Sequence, residues 1–139
     1  MIKLNKKINI LLILPLIFLL FACAPTTTTS EYLDLDYSDF SGQFIEITDE
    51  QLSMPYNDYY IYYYGPNCGA CNEIKPILLD TLYRAKSTTI YFVTVFSIND
   101  LHPDSGVKGT PTIIRVTDNE VSEFYEGATN ILAMLDQIN

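Results

Sequence analysis

The pattern of apolar and polar positions predicts strands and helices in alternation after residue 43. Apolar and polar residues alternate along "FIEIT" (residues 44 to 48), as in a half-buried strand. Thr48 opens "TDEQ", a capping-box pattern in which its hydroxyl holds the amide of Gln51 while the Gln51 side chain reaches back. The run "YYIYYY" (59 to 64) is uninterrupted and β-favouring. We therefore expect a strand, a short helix that ends before Pro55, and a strand buried on both faces.

The middle of the chain predicts one long helix and a further strand. From residue 69 to residue 86 apolar residues recur at spacings of three and four, which indicates an amphipathic helix. Pro76 lies inside this helix, removes one backbone donor and is expected to kink it. "TTIYFVTVF" (88 to 96) is β-branched and aromatic, so it predicts the next strand.

The end of the chain predicts a hairpin and a closing helix. "TIIRVT" and "VSEFYEG" flank Asp118-Asn119, which is the spacing of a β-hairpin. "TNILAMLDQIN" is expected to form the last helix, capped by Thr129 or Asn130. Early βαβ units followed by a late hairpin predict an α/β domain with a mixed β-sheet flanked by helices on both faces.

The first 22 residues have the pattern of an export signal. A basic start with three lysines precedes an apolar run that carries no charge. "Leu20-Phe21-Ala22-Cys23" resembles the lipobox of bacterial lipoproteins, in which cleavage leaves the cysteine as a lipid-carrying N-terminus. Two or more acyl chains on Cys23 would give stable anchoring, where one chain is marginal. An uncleaved N-terminal anchor helix is the alternative, and both readings tether the protein to a membrane.

Charge and composition limit the partners and the domain count. Without the signal the chain keeps five basic and 17 acidic residues, a net charge of −12. This balance excludes a nucleic-acid site, since such sites need basic stripes. Residues 24 to 43 open with a Pro/Thr tract typical of a spacer. The expected organisation is a signal peptide at 1–22, a lipidated cysteine and flexible spacer at 23–43, and one folded domain at 44–139.

Cys68 and Cys71 are the candidate reactive residues. They lie three positions apart where the Tyr/Ile run ends and the helical pattern begins. A sulfur at a helix start faces unpaired amides and the positive end of the helix dipole, and such CxxC cysteines have pKa values lowered from about 8.5 to roughly 3.5 to 7.5. We therefore expect Cys68 to be the nucleophile and Cys71, one turn further in, to be the resolving thiol.

Two other uses of the cysteine pair stay open at this point. A structural disulfide is possible, although closing a four-residue loop removes little entropy from the unfolded chain. A metal site needs three or four ligands, and the chain offers one distant histidine, His102, and no second cysteine pair. We therefore expect no metal, and no cofactor besides a redox-active Cys68–Cys71 disulfide.

Several separated features resemble the thioredoxin family over residues 44 to 139. "CGAC" is similar to the active-site motif of that family, and Pro76 stands five residues past the second cysteine, as the family's helix proline does. "GVKGTPT" (106 to 112) is similar to the family segment that contains a cis-proline, and Gly127 falls where a glycine precedes the last helix. The resemblance implies the thioredoxin fold.

The resemblance also implies roles for particular residues. Pro111 would be cis and lie beside the dithiol, and Thr110 would expose its backbone to an extended substrate; an ordinary trans proline is the alternative. The remaining residues expected at the substrate-binding surface are Gly69, Ala70 and Tyr64.

Three departures from the family pattern accompany these roles. Asn67 replaces the tryptophan before the first cysteine, and Tyr62 replaces a buried aspartate that helps to deprotonate the second cysteine. Release of a mixed disulfide by Cys71 would then be slower or use another base. The connection from residue 97 to 107 is short, so one family helix is expected to be reduced to a turn.

Together these features predict a membrane-anchored extracytoplasmic thiol:disulfide oxidoreductase. Its expected partners are exported proteins with thiols or disulfides and a membrane or extracytoplasmic redox partner that recharges it. We expect a monomer held at the cell membrane by its lipid anchor. The alternative is a non-catalytic adaptor or binding lipoprotein of the same fold with a structural disulfide.

Overall fold

Four β-strands and two α-helices make up the part of the chain that the computed structural model describes, residues 32 to 138. They are β1 (Asp58–Tyr64), α1 (Gly69–Arg84), β2 (Ile90–Thr94), β3 (Thr112–Thr117), β4 (Glu120–Glu126) and α2 (Gly127–Ile138). Short 3-10 helices at Tyr37–Gln43, Thr48–Glu50, Ile98–Asp100 and Pro103–Ser105 lie in the connections.

The strands form one mixed sheet in the order β2-β1-β3-β4. β1 pairs in parallel with β2 and antiparallel with β3, and β3 pairs antiparallel with β4. α1 provides the crossover that a parallel pair requires. β1 takes a central position because its side chains are apolar on both faces; Ile61, Tyr62 and Tyr63 are each 0% exposed. The N-terminus of α1 therefore lies at the carboxyl end of a fully buried strand.

Each face of the sheet carries its own buried cluster. α1 and α2 pack against one face, where Tyr62, Phe92 and Ile113 are buried. The connections that contain the 3-10 helices Thr48–Glu50, Ile98–Asp100 and Pro103–Ser105 cover the other face through residues such as Leu52 and Leu101. The predicted α/β class, with a mixed sheet flanked by helices, is confirmed.

The strongly patterned elements form where the sequence predicts them. β1, β2 and the β3–β4 hairpin lie within or close to the predicted strands. Asp118 and Asn119 have φ values of 52° and 65°, the left-handed pair that a tight hairpin turn requires. α1 runs through Pro76 and ends at Arg84, two residues before the predicted end. Between β2 and β3 the described chain has only 3-10 helices, as the short connection predicted.

The predictions that depended on single caps or on a weak alternation are wrong. Residues 44 to 48 are not a strand; Phe44 makes an isolated bridge with Phe92. The capping box at Thr48 does not form, because the Thr48 hydroxyl donates to the carbonyl of Asn99 at 3.3 Å and the side chain of Gln51 is buried elsewhere.

The predicted cap of the closing helix is also wrong. α2 begins at Gly127, ahead of both Thr129 and Asn130. The Asn130 side chain donates to the carbonyl of Glu126 at 2.7 Å.

Residues 32 to 43, which we call the N-terminal strap, lie against the folded domain. The compact unit of the chain begins at Tyr32, so this part of the expected spacer packs on the fold and is not a free linker. The strap includes the 3-10 helix Tyr37–Gln43, capped by the Asp36 side chain. The expected signal peptide, Cys23 and the rest of the spacer lie outside the described residues. Within residues 32 to 138 no helix has the length and apolar character needed to cross a membrane.

Candidate active site

Cys68 lies at the junction of β1 and α1. β1 ends at Tyr64, and four residues later Cys68 takes an extended conformation as the N-cap of α1, with φ −83° and ψ 108°. Its carbonyl accepts the amide of Asn72 at 3.1 Å, and the amide of Cys71 donates to Cys68 Sγ at 3.1 Å. The Cys68 sulfur therefore occupies the position in which a helix N-terminus stabilises negative charge.

Cys68 and Cys71 are joined by a disulfide. The S–S distance is 2.05 Å and the Cα atoms are 5.2 Å apart. Cys71 is 0% exposed and belongs to the core cluster beneath α1, whereas Cys68 is partly exposed. A reagent from solvent therefore meets Cys68 first, as the sequence predicted from its place at the helix start.

The Thr110–Pro111 peptide is cis, as the resemblance implied. Pro111 is buried at the start of β3, and its carbonyl accepts the amide of Gly127, where α2 begins, at 2.9 Å. Thr110 is partly exposed and lies in the same groove as Cys68. The structure thus brings together two site segments that are about forty positions apart in the sequence.

A groove of about 290 Å³ runs past the exposed sulfur. Gly65 forms its floor: a Cβ atom at this position would lie 3.3 Å from Thr110 Oγ1, 3.4 Å from Cys68 Cβ and 3.5 Å from the carbonyl oxygen of Val95. The groove is lined by Gly65, Pro66, Asn67, Cys68, Val95, Phe96 and Thr110. Such a groove fits an extended chain segment that presents a sulfur to Cys68.

A thioredoxin family model matches residues 46–139, which is more than half of the chain. The chain belongs to the thioredoxin family. A search of curated protein sequences returned no match.

Solved structures agree with this family fold. Oxidised thioredoxin from Plasmodium falciparum is 13% identical, with a TM-score of 0.57 over 68% of this chain and 95% of that one. Thioredoxin from Trypanosoma brucei brucei is 16% identical, with a TM-score of 0.57 over 68% and 84%. Thioredoxin from Malassezia sympodialis is 17% identical, with a TM-score of 0.51 over 68% and 88%. At these identities the likeness concerns the fold.

Three residues expected at the substrate-binding surface do not line the groove. Gly69 and Ala70 are exposed on the first turn of α1 and do not line it. Tyr64 is only 8% exposed, because Tyr37 from the N-terminal strap stacks on its ring with centroids 4.0 Å apart. Its hydroxyl accepts a hydrogen bond from Thr94 at 2.9 Å. We therefore correct the assignment of Tyr64: its ring is a buried support for the dithiol loop and offers no surface to a substrate.

The sequence analysis missed two residues that shape the site of this thioredoxin-family protein. Phe96 lines the groove and is 78% exposed, the largest exposed fraction among the large apolar side chains of the described residues. The signal for it was a large aromatic residue at the end of a buried strand, next to the polar "SIND" segment. Gly65 gave a weaker signal, a glycine between a strand and the cysteine motif.

Two phenols, the buried Tyr62 and the partly buried Tyr37, belong to or pack against the core cluster that contains Cys71. Tyr62, in the position where family members carry a buried aspartate, is 0% exposed in the core cluster that contains Cys71. Burial raises the pKa of Tyr62 strongly and raises the pKa of Tyr37 to about 12. Neither phenol oxygen has a hydrogen-bond partner of normal geometry among the described residues, although each lies near enough to the other to influence its ionisation. Both phenols stay neutral at physiological pH.

Lys75, four residues after Cys71, and the chain's one histidine, His102, are both held in contacts away from the cysteine pair. Lys75 Nζ lies 2.7 Å from Asp36 Oδ1 and 4.9 Å from the ring centroid of Tyr37. The hydrogen bond from Lys75 holds the pKa of Asp36 below its usual value. His102 Nδ1 accepts the amide of Asp104 at 3.1 Å and caps a 3-10 helix. Among residues 32 to 138 no group of three or more His, Cys, Asp or Glu side chains is placed to hold a metal ion.

Proposed function

We propose that this protein is a thiol:disulfide oxidoreductase that is anchored to the membrane through Cys23 and acts on exported proteins outside the cytoplasm. The observation that carries the proposal is the place of Cys68: its sulfur caps α1, accepts the amide of Cys71 and shares a groove with the cis Thr110–Pro111 turn. The family membership supports exchange chemistry at a CxxC pair. The lipobox supports the anchor, and the export-signal pattern before it supports the location.

The proposed reaction has two exchange steps. With the pair reduced, the Cys68 thiolate attacks one sulfur of a substrate disulfide, so that a Cys68–substrate bond forms and the other substrate sulfur leaves and takes up a proton. The Cys71 thiol then loses its proton and attacks Cys68 Sγ, which closes the Cys68–Cys71 disulfide and releases the second substrate thiol. The substrate gains two electrons and two protons; the pair loses two electrons and the proton of Cys71, and the second proton comes from solvent, to which the Cys68 thiol had already lost its own. In the opposite direction the same steps oxidise a substrate dithiol.

The amide of Cys71 and the helix terminus support the first step. Both stabilise the thiolate of Cys68 and do so without rearrangement, because the hydrogen bond to Sγ is already present with the disulfide closed. The groove supports the same step by offering an extended backbone a path past Thr110 to the sulfur. The groove thus orients the incoming disulfide, and the helix terminus and the Cys71 amide stabilise the negative charge of the attacking sulfur.

Two cysteine variants test the proposal. Cys68→Ser removes the nucleophile, so reduction of insulin disulfides by the reduced protein is expected to fall to the uncatalysed rate. Cys71→Ser keeps the nucleophile but removes the resolving thiol, so mixed disulfides with envelope proteins are expected to accumulate and to be isolated by non-reducing electrophoresis. Equal activity of the wild type and the Cys68→Ser variant would overturn the proposal.

A non-catalytic adaptor with a permanent disulfide is the second candidate. Tyr62 favours it, because a neutral phenol in the core cluster that contains Cys71, at the position of the family's aspartate, supplies no base for the proton of Cys71. The reduction potential separates the two candidates: a potential below about −300 mV, together with no thiol of low pKa, marks an inert structural disulfide. A higher potential and a reactive Cys68 mark the oxidoreductase.

A further inference from the structure

The N-terminal strap lies outside the part of the chain that the family model matches, yet it contacts the surroundings of the dithiol. The match begins at residue 46, whereas the strap covers residues 32 to 43. Along its course the amide of Leu33 donates to Asp80 Oδ1 on α1 at 3.3 Å, and Phe40 packs on Phe92 of β2 with centroids 5.4 Å apart. Between these two points lies Tyr37.

The Tyr37 ring contacts both chain segments that flank the cysteine pair. Tyr64, the last residue of β1 before the dithiol loop, stacks on this ring with centroids 4.0 Å apart and an interplanar angle of 20°. Lys75, in α1 after the pair, places Nζ over the ring at 4.9 Å from its centroid, and Asp36 holds that ammonium at 2.7 Å. One side chain therefore joins the strand before the cysteines to the helix after them.

We propose that Tyr37 is a positioning residue for the Cys68–Cys71 pair, acting through Tyr64 and Lys75. The proposal rests on the proposed function, since it concerns the redox equilibrium of the same cysteine pair. A loop whose two ends are already held loses less conformational entropy when its disulfide closes. The Tyr37 contact therefore favours the oxidised pair, and its loss makes the disulfide easier to reduce.

A matched set of variants separates positioning from general stability. Tyr37→Ala removes the contacts of the ring with Tyr64 and Lys75, together with its wider contacts to Tyr62 and Phe92. Tyr37→Phe keeps the ring but removes a hydroxyl that has no hydrogen-bond partner of normal geometry among the described residues. Phe40→Ala removes an aromatic side chain of the same strap that packs on Phe92 and makes no ring contact with Tyr64 in the described chain. All variants are made in the full chain with Cys23→Ser, purified in detergent, so that the pair supplies the only thiols.

The readout is the equilibrium of each variant with a glutathione redox buffer, followed by alkylation of free thiols, beside a urea unfolding curve. We expect Tyr37→Ala to shift the equilibrium towards the dithiol by about tenfold, which is ~30 mV for this two-electron couple. Tyr37→Phe and Phe40→Ala are expected to stay within about twofold of the parent. Phe40→Ala is still expected to lower the urea midpoint, because it removes a packed aromatic ring.

Equal shifts for Tyr37→Ala and Phe40→Ala, or a Tyr37→Ala equilibrium that matches the parent, would overturn the proposal. Should Tyr37→Ala not fold, Tyr37→Leu keeps an apolar side chain but loses the ring contacts; a shift in the same direction supports positioning, and an unchanged equilibrium contradicts it. If the parent pair does not equilibrate with glutathione, the proposed function fails, and the same comparison in a dithiothreitol buffer still decides the role of Tyr37.

Discussion

Gly65 sets the width of the groove between Cys68 and Thr110. A methyl group at this position would press on Thr110 Oγ1 at 3.3 Å and on Cys68 Cβ at 3.4 Å. We expect Gly65→Ala to slow reduction of a protein disulfide by about tenfold, since small displacements of reacting atoms cost large factors in rate. The same variant should slow the reduction of oxidised glutathione less, because this small disulfide occupies less of the groove.

Gly109→Ala is the matched control for this prediction. Gly109 neighbours the same cis turn, but a Cβ there meets no heavy atom within 4 Å. Its rate with the protein substrate should equal that of the wild type, as measured by insulin turbidity. Equal rates for Gly65→Ala and the wild type would show that the groove does not carry the substrate.

Tyr62 provides a second test at a single side chain. Its buried hydroxyl lacks a hydrogen-bond partner of normal geometry among the described residues, and its raised pKa keeps it neutral, so it cannot accept the proton of Cys71. Tyr62→Phe should therefore leave the exchange rate within about twofold and should not lower the free energy of unfolding, because an unpaired buried hydroxyl costs ~1–3 kcal/mol. A tenfold slower release of mixed disulfides would instead assign Tyr62 a part in proton transfer.

Gln51 joins three elements on the face of the sheet opposite α1. Its side chain is 1% exposed; Oε1 accepts the Tyr63 hydroxyl at 3.0 Å and the His102 amide at 2.9 Å, and Nε2 donates to the carbonyl of Asp100 at 2.7 Å. These three hydrogen bonds tie Gln51 to β1 and to the 97–107 connection, so its side chain does not reach back to Thr48 as the predicted capping box requires.

Gln51→Leu should destabilise the fold by about 3 kcal/mol, because the buried Tyr63 hydroxyl and two partly buried backbone groups lose their hydrogen bonds and a lost buried partner costs ~1–3 kcal/mol. Urea unfolding followed by circular dichroism measures the loss. Gln43→Leu is the control, since Oε1 of Gln43 is buried without a partner, and it should cost far less. Similar midpoints for the two variants would contradict a structural role of the Gln51 network.

Elements with a strong local pattern were predictable from the sequence. Residues close together in the sequence determine three of these elements. They are β1 with its Tyr/Ile run, α1 with its three- and four-residue spacing, and the Asp118-Asn119 turn. Contacts with distant parts of the chain determine the conformation at residues 44 to 48 and at Gln51. Phe44 bridges to Phe92, and the Gln51 side chain bonds to Asp100 and His102. Local patterns do not contain such contacts, so the strand and the cap predicted there were wrong.

The whole site combines a predictable part with one that only the fold reveals. Cys68, Cys71 and the cis-proline were recognised because they lie in short motifs. The N-terminal strap was taken for a spacer, since its Asp-rich sequence has no clear period and its order comes from Tyr37 and Phe40 packing on the sheet. The buried state of Tyr64 follows from the same packing.

The anchor is a prediction about the whole molecule. Cys23→Ser should prevent lipid attachment and cleavage, so that labelled palmitate is no longer incorporated and the unprocessed chain is larger on a gel. The alternative, an uncleaved anchor helix, predicts that Cys23→Ser changes neither the size nor the membrane fraction of the protein. Partition into detergent and mass spectrometry of the N-terminus measure both.

The most direct measurement is the rate of alkylation of the reduced protein as a function of pH, in the Cys23→Ser background and in the Cys68→Ser and Cys71→Ser variants. The helix start and the amide of Cys71 predict one thiolate with a midpoint below about 7.5, present in the Cys71→Ser variant and absent in Cys68→Ser. An alkylation midpoint of about 8.5, the ordinary value for cysteine, in every variant would contradict the assignment of Cys68 as the nucleophile.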